Sequence, residues 1–278
     1  MPTTNYQNEY RDEYQNEYKR KYQNEYRNEY RDEYLTLSAL GDGEIVIVIP
    51  ASINQAYATS LSYSEDKSEW VKTDIDDTNQ TISIPVSKGD SIYLKGEAKQ
   101  LYESGDDSSV YIDSSANISA SGNIMSLLYG DEFKGKTSFP TGSQRNFAYL
   151  FGYNEHLLNT ENLILPATEL TNGCYSSMFE GCTFLDTAPV LPATKLVEQC
   201  YGMMFGGCNK LNSITILATD ISAEDCLIDW VDGVAPAGTF AVTFTKIAPM
   251  TLWSIGASGV PDNWTIVDYE NSKFARPA

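Results

Sequence analysis

The sequence predicts a mostly β protein with short helical turns, made of an N-terminal repeat tail, a β-sandwich domain and a short leucine-rich-repeat solenoid. Three observations predict this organisation. Residues 1–34 carry a tyrosine at every fourth position, residues 35–122 contain short alternating runs separated by turn residues, and residues 123–278 contain a unit that recurs every 26 residues, followed by a C-terminal cap. A chain of 278 residues is long enough for the tail and two medium domains.

The tail is a low-complexity segment whose only large apolar side chains between residues 5 and 34 are tyrosines. They stand at Tyr6, Tyr10, Tyr14, Tyr18, Tyr22, Tyr26, Tyr30 and Tyr34. In an α-helix these rings would lie on neighbouring turns of one face, although glutamates that repeat at the same spacing repel each other. Two states are left open, a disordered tether and a helix ordered by self-association or by docking on a larger assembly. We expect residues 6–34 to be helical in the assembled state and to pack through the tyrosine face.

The second segment consists of eight short strand candidates bounded by Gly, Asp, Asn and Ser. At this spacing they favour a β-sandwich over alternating strands and helices. The glycine-rich turn 41–43 is expected to join the first two strands tightly, and Trp70 is expected in the core. The candidates are residues 35–40, 44–50, 60–64, 69–73, 81–86, 91–96, 109–115 and 117–122.

The third segment repeats in step along its whole length. The motif Leu-Pro-Ala-Thr occurs at Leu165–Thr168 and again at Leu191–Thr194, and a degenerate copy begins at Leu217. Each unit is expected to supply one short strand and one helical turn, such as residues 201–205, and to bury its apolar side by stacking on its neighbours. The equivalent apolar positions expected to be buried are Cys174, Cys200, Leu185, Leu211, Phe179 and Phe205.

The five cysteines are an odd number, so they cannot all pair within one chain. Equivalent positions in stacked units lie within disulfide range, which leaves a Cys174–Cys200 or Cys182–Cys208 bond open. We favour free thiols, because cysteine suits a buried column as a small apolar residue. Zinc would need close cysteine pairs.

The repeated segment, with its motifs MFEGC, LPAT and MMFGGC, resembles the cysteine-containing leucine-rich repeats of BspA-like surface proteins. It is most similar to a subgroup found in gut Bacteroidales and their phages. The resemblance covers most of residues 35–270 and implies a ligand-binding or adhesive solenoid behind a small β domain, with no catalytic residues to carry over. The tyrosine tail departs from that family.

Strand alternation predicts which side chains could recognise a ligand. In the last repeat strand, Ile214 and Ile216 should be buried and the residues between them should face outward. The outward set, together with its equivalents in the two preceding units, is Ser213, Thr215 and Leu217, then Thr187, Pro189 and Leu191, then Glu161, Leu163 and Leu165.

Charge and motifs narrow the function. The net charge is −19, and the tail from residue 5 to residue 34 contributes only −2, so the body carries −17. An acidic body argues against nucleic acid and against an anionic membrane surface as partners. We expect no membrane span and no signal peptide, and no enzyme, cofactor or metal site, because catalytic fingerprints are missing and His156 is the only histidine.

Two functions remain. The first is a non-enzymatic recognition or adhesion protein that binds a glycan or a protein through the solenoid and is tethered by its tail. The second is a structural component of a phage virion or extracellular fibre whose tail drives assembly. Both place the protein outside the cell, at a cell surface or on a virion.

Overall fold

The computed structural model describes residues 28–53, 55–76, 78–103, 109–243 and 252–269. The chain is mostly β, with several sheets, none of which is closed. The described part begins with one short helix, α1 (Asn28–Arg31). No helix within these ranges is long and apolar enough to cross a membrane.

All eight strands predicted in residues 35–122 are present. Alternation of apolar and polar residues gives most of them one buried side, as Ile45, Ile47 and Ile49 do on β2. The strands are β1 (Leu35–Ala39), β2 (Gly43–Ile49), β3 (Ala58–Ser64), β4 (Val71–Asp74), β5 (Gln80–Val86), β6 (Ser91–Ala98), β7 (Tyr111–Ser114) and β8 (Ile118–Asn123).

These strands form two sheets that share one apolar layer. The larger sheet has seven strands, five of which come from this segment in the order β4-β3-β6-β1-β8, and the smaller sheet runs in the order β5-β2-β7. Ile47 and Ile112 of the smaller sheet line the same enclosed space of about 10 Å³ as Leu61 and Leu94 of the larger sheet. The two sheets therefore face each other.

The first two strands are joined tightly over residues 40–42, as expected, but they do not pair as a hairpin. β1 pairs with β6 and β8, whereas β2 pairs with β5 and β7. Leu37 and Ile47 are both buried, because the chain crosses between the sheets and keeps both apolar sides in the shared layer. Gly43 allows the close approach that follows, since a Cβ there would come within 2.6 Å of the Ala116 nitrogen.

After β8 the described residues include two short helices and five short strands joined by turns. The helices are α2 (Ser126–Tyr129) and a 3₁₀ helix (Gly130–Phe133), and the strands are β9 (Leu157–Asn159), β10 (Leu163–Ile164), β11 (Ser213–Ile216), β12 (Thr239–Val242) and β13 (Thr265–Asp268). β9 and β10 pair with β8 in parallel, and β11, β12 and β13 pair with one another in parallel. Bridges from Asn159 to Thr187 and from Thr187 to Ser213 connect β9 to β11. Parallel pairing thus continues from the larger sheet into the repeats.

The helical turns expected in the repeats are wrong. Residues 201–205 are a series of turns in which every fourth residue has a left-handed backbone, such as Gln199 and Met203, both with φ 53°. Left-handed residues cannot continue a right-handed helix. Every second backbone N–H bonds to the next unit instead, as the N–H of Tyr201 does by donating to the Cys226 carbonyl at 3.1 Å.

The predicted buried positions of the repeats are confirmed. All six predicted residues are 0% exposed: Cys174, Cys200, Leu185, Leu211, Phe179 and Phe205. The Phe179 ring stacks on Phe151 with centroids 5.7 Å apart and on Phe205 with centroids 5.6 Å apart. All five cysteines are free and buried, and the Cys182 thiol donates to the Phe151 carbonyl at 3.0 Å. The expectation of free thiols is therefore confirmed in this structure.

Candidate binding trough

The outward positions predicted on β11 are confirmed. Ile214 and Ile216 are buried, whereas Ser213 and Thr215 on the strand and Leu217 just after it are partly exposed. In the preceding units, the structure confirms exposure at two of the predicted positions, Thr187 and Glu161.

Four other predicted outward positions are wrong because their side chains are buried: Leu163, Leu165, Pro189 and Leu191. The cause in the second unit is the register. Thr187 is aligned with Ser213, but Leu191 is aligned with Ile216. Five residues, 187–191, therefore lie opposite only four, 213–216. A shift of one residue moves a side chain to the other face of a strand. Leu191 thus takes the buried position of Ile216 instead of the outward position of Leu217.

A row of short polar side chains crosses the paired strands on their outer face. Ser38 is aligned with Ser91 and with Ser119, and Ser119 is aligned with Asn159. Asn159, and not Glu161, is aligned with Thr187. We call the whole set the polar row: Ser91, Ser38, Ser119, Asn159, Thr187, Ser213, Thr239 and Thr265. All eight side chains are partly or fully exposed.

Three neighbouring residues of the polar row, Ser38, Ser119 and Asn159, line an open trough of about 670 Å³. Ser38, Ser119 and Tyr93 of the larger sheet line it, together with Asn159 and Glu161 from the first repeat. A volume of this size lies within the range of small-molecule sites. The trough therefore combines residues from the antiparallel and the parallel parts of the structure.

A charged pair lies beside Tyr93 in the trough. The Lys67 ammonium lies 4.5 Å from the centroid of the Tyr93 ring and forms an ion pair with Glu33. Glu161 adds a second carboxylate to the lining. Because Lys67 is already paired, the lining offers no free positive charge for an anionic ligand.

The described end of the tail is held beside the trough by aromatic and charged residues. The Tyr34 ring lies 4.9 Å from Trp70 and 5.2 Å from Phe133 between centroids, and its hydroxyl donates to Asp131 at 2.7 Å. Burial, and then the bond to Asp131, raise the pKa of Tyr34 to about 12. Hydrogen bonds from Lys95 and then from Tyr34 lower the pKa of Asp131. Trp70 is only partly buried, so it belongs to this junction rather than to the core.

The helix expected over residues 6–34 in the assembled state does not extend to Tyr34 in this structure. α1 ends at Arg31, and Tyr34 forms a bridge with Asn123 of β8. The Asn123 side-chain amide donates to the Arg31 carbonyl at 2.8 Å, and its backbone N–H donates to Glu33 at 2.9 Å. These bonds draw residues 31–34 onto the C-terminal end of β8. Tyr30 lines the trough, whereas the six tyrosines from Tyr6 to Tyr26 lie outside the described residues.

The lining is suited to hydrogen bonding with a polyhydroxylated molecule. Serine hydroxyls and the Asn159 amide can donate and accept, and the Glu161 carboxylate can accept. His156 lies away from this lining, with its Nδ1 atom 3.1 Å from Asn117 Oδ1. Within the part of the chain that the structure describes, no group of three or more His, Cys, Asp or Glu residues is placed to hold a metal ion.

Reasoning from sequence missed Ser38, Tyr93 and Ser119 as lining residues. Alternation in β1, β6 and β8 marks these side chains as outward, but their meeting with Asn159 depends on a strand order that brings distant segments together. Comparison with protein-family models, with curated proteins and with solved structures finds no match. The site is therefore interpreted from its own chemistry.

Proposed function

We propose that this protein is a non-enzymatic recognition protein that binds a glycan through the trough. One observation carries the proposal: an aromatic ring, Tyr93, lies among short hydroxyl and amide side chains on an open concave surface. Sugars present hydroxyl groups for such donors and acceptors, and the apolar faces of their rings pack on aromatic side chains, here on the part of the Tyr93 ring that the Lys67 ammonium leaves uncovered. The predicted outward residue Glu161 belongs to this lining.

Two substitutions test the proposal. Tyr93→Ala removes the ring, and Ser119→Arg fills the trough. We expect each to weaken the binding of a glycan identified on an array by at least about tenfold, which corresponds to about 1.4 kcal/mol. Tyr153→Ala is the matched control, because Tyr153 is 64% exposed and lies outside the lining. Full binding by both trough variants, or no glycan bound by the natural chain, would contradict the proposal.

We propose a finer architecture as well, a β-sandwich over residues 35–122 and a capped leucine-rich-repeat solenoid over residues 123–278, similar to BspA-like surface proteins. Support comes from the 26-residue recurrence, from the hydrogen bonds between units and from the stacked rings. The Trp230 indole N–H donates to the Gly259 carbonyl at 2.9 Å, which is consistent with a cap on the last unit. An experimental structure in which Phe179 and Phe205 do not stack would contradict this architecture.

The tail junction favours a second function, as a structural component of a virion or extracellular fibre. Tyr34 is held by Trp70, Phe133 and Asp131, so an assembly formed through residues 1–27 would hold the body through a fixed point beside the trough. On this proposal the protein lies outside the cell, on a cell surface or on a virion.

The oligomeric state tests this second function. Light scattering should show larger assemblies for the full chain than for residues 28–278. Replacing Tyr14, Tyr18, Tyr22 and Tyr26 by serine should have the same effect as the deletion. Replacing Gln15 and Gln23 by serine is the control and should leave assembly unchanged. If assemblies persist in the four-tyrosine variant, the tyrosines do not drive assembly and the tail acts only as a tether.

A further inference from the structure

The polar row extends beyond the trough. Ser38, Ser119 and Asn159 line the trough, whereas the row continues to Thr265 through parallel neighbours. Neighbouring strands lie about 4.8 Å apart, so the seven steps from Ser91 to Thr265 span roughly 34 Å. A ligand that followed the row would therefore be an extended chain rather than a single sugar.

Most hydroxyls of the row are available to a ligand. Within the described residues, no protein hydrogen bond involves the hydroxyls of Ser119, Thr187, Ser213, Thr239 or Thr265. Thr239 and Thr265 are also exposed. Each free hydroxyl can donate one hydrogen bond and accept others. The row thus repeats the same hydrogen-bonding group from strand to strand.

The charges on and beside the polar row favour a neutral ligand. The polar row itself carries no charge, and the charged groups beside it include the carboxylates of Glu161 and Asp186, the latter bonded to the Asn159 amide at 3.0 Å. The body as a whole carries −17 when the tail's −2 is subtracted from −19. An anionic polymer would be repelled by this surface.

We propose that the trough and the polar row form one binding surface for a linear neutral polysaccharide whose chain crosses the strands. This inference rests on the proposed glycan-binding function and adds the ligand's length, direction and charge. A disaccharide fills only the trough. A chain long enough to reach Thr239 and Thr265 gains hydrogen bonds there, and its affinity should exceed that of the disaccharide by about tenfold.

The experiment titrates the full chain by calorimetry with cello-, manno- and N-acetylated chito-oligosaccharides of increasing length, and with oligogalacturonates as acidic counterparts. The double variant Thr239→Arg with Thr265→Arg should lower the affinity for long oligomers to that for the disaccharide, without changing disaccharide binding. Ser119→Arg should weaken both. Thr81→Arg is the control, because Thr81 is an exposed threonine on β5 of the smaller sheet, and it should change neither.

The outcomes separate this inference from the function on which it rests. Equal affinity for short and long oligomers, or long-chain binding that survives the double variant, overturns the extended surface and leaves the trough as a site. Tighter binding of oligogalacturonates overturns the neutral class. Binding of no oligomer by the natural chain overturns both proposals.

Discussion

Replacing Phe179 by alanine probes the packing on which the stacked units depend. The side chain is 0% exposed, and its ring is nearly parallel to that of Phe151, at 5°, and to that of Phe205, at 2°. Phe179 therefore contributes to the cohesion of three successive units.

The cost of this substitution follows from two contributions. Burying a phenylalanine side chain contributes about 1.5–3 kcal/mol, and each aromatic pair adds about 0.5–1.5 kcal/mol. We expect the free energy of unfolding to fall by about 3–5 kcal/mol, as in other buried phenylalanine truncations. Since whole domains are stable by only about 5–15 kcal/mol, a loss of this size is large.

Urea unfolding followed by circular dichroism measures the effect, and Phe184→Ala is the control. Phe184 lies five residues away but is 51% exposed, so its loss should change the unfolding free energy by less than about 0.5 kcal/mol. A loss below about 1 kcal/mol for Phe179→Ala, or equal losses for both variants, refutes the reasoning.

Three further outcomes are expected. Tyr201→Phe should keep or raise the free energy of unfolding, by up to about 3 kcal/mol, because its buried hydroxyl has no hydrogen-bond partner within the described residues; a lower urea midpoint would contradict this. Burial raises the pKa of Cys200 from 9.0 to about 12. Between these two pH values only the unfolded chain releases the thiol proton, so the free energy of unfolding should fall as the pH rises above 9. The urea midpoint measures this fall, which should be smaller in Cys200→Ala. Gly122→Ala should loosen the tail junction, because φ is +77° and a Cβ would lie 2.0 Å from the Tyr34 carbonyl oxygen. Hydrogen exchange over residues 31–36 should rise in this variant but not in Gly89→Ala, where nothing lies within 4 Å.

Local patterns predicted the strands well and their pairing poorly. Each strand of residues 35–122 has its own alternation, which needs no knowledge of its neighbours. The separation of β1 from β2 into two sheets depends on partners far along the chain, and no short-range signal specifies them. The turn 41–43 is compatible with a hairpin and with a crossing between sheets.

In the repeats, period predicted burial but not backbone conformation. The spacing of 26 residues identifies equivalent side chains such as Phe179 and Phe205, and both are buried. The spacing does not predict the left-handed backbone of Gln199 and Met203, because residues other than glycine rarely adopt this conformation. An alignment on the Leu-Pro-Ala-Thr motif also misses the extra residue between Thr187 and Leu191, because it places Leu191 opposite Leu217 instead of Ile216. Four of the six outward positions predicted in the two preceding units are buried, and for Leu191 the extra residue is the cause.

The trough exists because two kinds of pairing meet on β8. Antiparallel pairing with β1 brings Ser38 beside Ser119, and parallel pairing with β9 brings Asn159 to the other side of Ser119. The antiparallel strands alone supply no Glu161, and the repeats alone supply no Tyr93. The register between β8 and β9 already shifts between Ile118 and Ser119, and one further residue of shift would turn Asn159 toward the core. The chemistry of the site therefore depends on this register more than on any single lining residue.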